Sequence, residues 1–144
     1  MVLALGFGLG LLVWGCGAVP GGPETRPVGP SVLSAAELRA SRRSVDFERH
    51  VRPILEGRCL GCHNDEERSG DFSLATRFEA TKDSRVVPGK ADESLMIIFL
   101  TTGNPSLTMP AVGSAPPDEE IRILRRWINE GAKWPQGVRL GPAR

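Results

Sequence analysis

Apolar positions divide the chain into four parts with different spacings. From Val2 to Val19 apolar residues and glycines run almost unbroken and uncharged, and the first charged side chain is Glu24. Prolines at 20, 23, 27 and 30 then alternate with glycines, and apolar density stays low to about Ser31. A stretch of this kind predicts an extended, solvated spacer, with a short helix expected at about Ala35–Arg43. Beyond it, Phe47, Val51, Ile54 and Leu55 recur at helical spacing and predict a helix over Val45–Gly57, capped by Ser44 or Asp46 and bent at Pro53. An extended piece near Phe72 and Leu74, a helical turn at Ala75–Ala80 and a turn at Val87-Pro88-Gly89 follow. Asp92 is expected to cap a helix over Glu93–Leu100. The last helix starts at Asp118, Glu119 and Glu120, carries Ile121, Leu124, Trp127 and Ile128 as its inner stripe, and ends at Gly131. Its stripe is expected to pack on the Phe47–Val51–Leu55 face. The resulting division is a leader over 1–16, a spacer over 17–43, a folded domain over 44–136 and a tail over 137–144.

Composition narrows the class. The 144 residues are 40% hydrophobic and 24% charged with a formal charge of +1, which is globular and lacks the basic excess of a nucleic-acid binder. The apolar start has the character of an export signal or a short anchor. Gly15-Cys16 at its end resembles a lipoprotein cleavage site, with Cys16 as the residue to be acylated. A lipoprotein leader ranks first, a plain cleaved signal second and an uncleaved anchor third. All three place the domain in the periplasm or cell envelope, with lipidated Cys16 or the leader itself as the membrane attachment.

The chemistry is concentrated at Cys59-Leu-Gly-Cys62-His63. Cysteines three apart lie on one side of a helical turn, and the C-x-x-C-H string is the attachment site of c-type haem. Cys59 and Cys62 would form thioethers to the porphyrin, and His63 would give the iron an axial nitrogen. Its other ring nitrogen is then expected to donate to a backbone carbonyl. A zinc site would need a fourth ligand, and no Cys or His follows His63; a thioredoxin-like pair would need a βαβ setting that the pattern lacks.

Thr101–Pro117 contains no charged residue and four prolines, long for a loop without a role. Met109, followed by Pro110, is the candidate second axial ligand, a soft thioether suited to reduced iron. Met96 reads as core filler. His50, nine residues before Cys59, would stand about 13 Å away along a helix and reads as a packing or surface histidine.

The ordered set Phe47, Pro53-Ile-Leu55, Cys59-x-x-Cys-His63, Gly70-x-Phe-x-Leu74, Pro88-Gly-Lys90, Ser94-Leu95, Met109-Pro110, Glu120-Ile121, Trp127-Ile128 and Gly131-Ala132 resembles the planctomycete-type cytochrome c family. The resemblance implies an all-α, cytochrome c-like domain of about four short helices around one covalent haem c. It also implies that Cys59 and Cys62 are the attachment points, with His63 and Met109 on the iron. The expected function is one-electron transfer to and from redox proteins of the envelope, not catalysis. Two other classes are a haem enzyme or gas sensor with an open or displaceable sixth position, and an assembly module with a structural haem.

Overall fold

A computed structural model describes residues 26–143, which form five helices. Helix α1 spans Ala35–Ser41, α2 residues 47–59, α3 Arg77–Thr81, α4 Leu95–Thr101 and α5 Asp118–Asn129. Among the described residues the only β-pairing is one parallel bridge between Val28 and Ala115, so the all-α expectation is met. No helix among them is long and apolar enough to cross a membrane. The apolar leader and Cys16 lie outside the described residues.

Helix α2 begins where the Asp46 carboxylate accepts the Arg49 N–H at 2.8 Å. Its middle is α-helical over Arg52–Ile54, flanked by wider π-type turns over Phe47–Val51 and Leu55–Cys59. Pro53 accounts for the first of these: it has no N–H for the Arg49 carbonyl, and its ring crowds the preceding turn. The Arg52 N–H accordingly reaches back to Phe47. Gly57 does not end the helix, as the pattern suggested, but lies inside it. A Cβ there would stand 3.2 Å from Val32 Cγ1, so the glycine admits an outside segment to the helix surface.

Phe47, Val51, Ile54 and Leu55 are all buried, and α5 packs on the Phe47–Val51 turn. The Phe47 ring lies 6.1 Å from Trp127 and 4.6 Å from Trp134, centroid to centroid. Both indole N–H groups are satisfied, Trp127 by the Lys133 carbonyl and Trp134 by that of Val138. The buried stripe of α5 is Glu120, Ile123, Leu124, Trp127 and Ile128, while Ile121 is only half-buried. Helical spacing of three and four from Leu124 and Trp127 favours positions 120 and 123 over 121. Arg126 is not simply solvated: its guanidinium donates to the carbonyls of Ser41, Arg42 and Arg43, the free end of α1.

Ser94, not Asp92, precedes α4, and its hydroxyl bonds the Lys90 carbonyl and the Val87 N–H instead of capping the helix. Met96 packs against the core. From Arg26 onward the spacer is fastened to the domain rather than solvated, and Leu33 joins the core. The tail is fastened too: Leu140 is buried and its N–H bonds the Ala75 carbonyl at 2.8 Å.

Candidate haem-attachment site

The Cys-x-x-Cys-His string continues the last turn of α2. The Cys59 carbonyl accepts the N–H of Cys62 at 3.2 Å and of His63 at 2.9 Å, so both cysteines share one side of a turn. Leu60, fully buried between them, anchors the turn in the core. Asn64 closes it, its amide donating to the Leu60 carbonyl and its oxygen accepting the N–H groups of Glu66 and Glu67, each at 2.8 Å.

Residues 64–74 then fold back over His63. Ser69 donates its N–H to the Cys62 carbonyl at 2.9 Å, and Leu74 donates to that of His63 at 2.7 Å. The reversal uses left-handed backbone at Arg68, Gly70 and Asp71, a conformation that only glycine adopts without cost. It places the Ser69 carbonyl 2.8 Å from His63 Nδ1 and lays Phe72 against the imidazole at 4.1 Å and 18°. The Arg85 guanidinium covers the other face of this pair, 4.6 Å from the Phe72 ring centroid.

Burial lowers the His63 imidazole below its usual value, with the Ser69 hydrogen bond opposing the shift and the Arg85 charge assisting it. The ring is therefore neutral at neutral pH. Its one proton sits on Nδ1, donated to Ser69, and the Nε2 lone pair is left for a metal. Both cysteines are unpaired; Cys62 is exposed and Cys59 partly buried. Burial, with the Glu120 carboxylate adding to it, pushes the Cys59 thiol up to about 12. Among the described residues no three His, Cys, Asp or Glu side chains converge as a metal site. Two free thiols on one turn beside a neutral imidazole with an available lone pair fit a covalent haem.

Met109 stands in a separate segment. Its N–H donates to the Phe99 carbonyl at 2.9 Å, and its own carbonyl accepts from Arg26 at 2.9 Å. The structure thus joins Cys59, Cys62 and His63 directly, and ties Met109 to α4 and to the spacer. The sequence left the His63 acceptor open among backbone carbonyls, placed Glu120 only at the start of the last helix, and gave Arg58 and Arg26 no role at the site. Glu120 had a signal, an acid at helical spacing in an apolar stripe; Arg26 had none.

The histidine fold-back, the paired cysteines and Met109 all fall within residues 59–113, and this stretch matches the family model described as planctomycete cytochrome C. Comparison with curated proteins and with solved structures gave no match. The segment from Cys59 to Gly113 is thus similar to the planctomycete cytochrome C family, a likeness that implies haem c as the cofactor.

Proposed function

We propose that this chain is a single-haem c-type cytochrome that carries one electron at a time between redox proteins of the bacterial cell envelope. The observation that carries the reading is the 2.8 Å bond from His63 Nδ1 to the Ser69 carbonyl, because it fixes the tautomer and frees Nε2. When bound, the haem supplies an iron that takes up and gives back a single electron. Cys59 and Cys62 would hold it covalently, and His63 would give the nitrogen ligand. Phe72 and Arg85 stack behind the imidazole and fix its plane. Met109 would give the second ligand, so that no axial position is left for a substrate. This is what separates a carrier from a haem enzyme or a gas sensor. The apolar run over Val2–Val19 and Cys16 support export and lipid attachment.

Intact mass and optical spectra of the exported, matured protein test this. The expected mass is that of the processed polypeptide with one haem that acid and organic solvent do not extract. The ferric spectrum is expected to be low-spin, and Met109→Ala should convert it to high-spin. Colourless protein would overturn the cofactor. A five-coordinate ferric spectrum in the unmutated protein would favour the enzyme or sensor reading.

A further inference from the structure

The loop that bears Met109 has no charged side chain of its own between Thr101 and Pro117, and most of it is exposed. Met109 is held by one backbone bond to α4, at Phe99. The remaining fastening comes from more than 80 residues away in the chain, from the segment before α1. Arg26 donates Nη2 to the Met109 carbonyl at 2.9 Å and Nη1 to the Pro110 carbonyl at 2.7 Å. A guanidinium is the side chain that can grip two successive carbonyls with a rigid fork. Just beyond Arg26, the Gly29 N–H bonds the Ala115 carbonyl and the Ala115 N–H bonds that of Pro27, each at 2.9 Å.

The same segment is also fastened to the end of α2. Arg58, the neighbour of Cys59, bonds the Pro30 carbonyl and the Glu120 carboxylate, the latter at 3.0 Å. Glu120 in turn accepts from the Ser31 hydroxyl at 2.8 Å and the Val32 N–H at 2.7 Å. Val32 lies on Gly57. Between these two attachments the backbone passes through a narrow gap at Gly29. A Cβ on Gly29 would stand 3.1 Å from Arg58 Nη1 on one side and 3.1 Å from Ser114 Cβ on the other.

We propose that residues 26–33 form a clasp that holds the Met109 loop in register with the Cys59–His63 turn, and that Arg26 is the positioning residue for Met109. The inference rests on the reading of Met109 as the second iron ligand. Its consequence is that Arg26 sets how readily the sulfur leaves the iron, without touching the iron itself.

The test is a titration of the ferric holoprotein with imidazole, followed optically, for the unmutated protein, Arg26→Ala, Arg26→Lys and Met109→Ala. Met109→Ala should bind imidazole most tightly, because nothing competes. Arg26→Ala should bind about tenfold more tightly than the unmutated protein, the scale of losing a charge-assisted bond that favours the closed loop. Arg26→Lys keeps the charge but not the fork and should fall between. Gly29→Val wedges the gap from its other side and should act in the same direction as Arg26→Ala. Should Arg26→Ala and Gly29→Val both bind as the unmutated protein does while Met109→Ala binds tightly, the clasp is overturned and the ligand stands. Should Met109→Ala itself bind as the unmutated protein does, the ligand reading falls, and the positioning role falls with it.

Discussion

Glu120 is fully buried at the start of α5 and answers to three partners, so its removal is a sharp test of how the N-terminal segment is held. Glu120→Ala deletes the bonds to Ser31, Val32 and Arg58 at once. The Arg58 side chain keeps only 15% of its surface exposed, so it is left largely buried without its counter-ion. Removing one partner of a buried pair costs about 3–5 kcal/mol. Arg58 still reaches the Pro30 carbonyl and some water, so the lower end, about 3 kcal/mol, is expected. For a domain of this size that lowers the melting temperature by about 10–15 °C. Glu120→Gln keeps the shape and one acceptor and should cost about half as much. Arg58→Ala and the double variant complete a cycle whose coupling should be at least about 1 kcal/mol. Thermal or denaturant unfolding of the holoprotein reads all four. A loss below about 1 kcal/mol for Glu120→Ala, or additive single variants, would refute the buried network as a source of stability.

Three further outcomes follow from other contacts. Burial keeps the His50 imidazole below its usual value; Nδ1 accepts the Asp46 N–H and Nε2 has no partner. The unfolded chain then binds the proton more readily, so stability is full above about pH 6.5 and falls as the pH drops through that value. Melting temperatures between pH 7.5 and 5 should show this, and His50→Gln should flatten the slope; an equal slope in the variant excludes His50 as its source. Phe72→Ala removes the ring stacked on His63 and should cost about 2–3 kcal/mol with a shifted reduction potential; an unmoved potential would show that the stack does not tune the ligand. Gly57→Ala trades better helix propensity against the 3.2 Å approach of Val32 and should stay within about 0.5 kcal/mol. Gly57→Val must displace Val32 and should cost about 1–3 kcal/mol, and equal melting of the two variants would argue against close packing there.

The sequence pattern carried the helices well because most of them bury a stripe at regular spacing. Phe47, Val51, Ile54 and Leu55 are buried as their spacing requires, and α5 runs close to its predicted ends. The pattern failed where a contact depends on residues far apart. Gly57 read as a helix end because glycine usually is one, and only the arrival of Val32 gives it an interior role. Prolines and glycines between 17 and 31 read as free spacer because such composition rarely packs. Arg26, Ser31 and Val32 pack there through hydrogen bonds, which leave no periodic trace. The same holds at the site. A five-residue string announced Cys59, Cys62 and His63, whereas the Ser69 carbonyl acts through its backbone and could belong to any residue type.

The bonds of Arg26 and Ser31 join residues separated by 83 to 89 positions. Closing so long a loop must come before such contacts form, and they gain nothing until the rest of the fold exists. The part of the domain synthesised first is therefore the part that settles last. Until α5 is complete, residues 26–33 have no Glu120 to bind, and the Met109 loop stays unlatched through the earlier stages of folding.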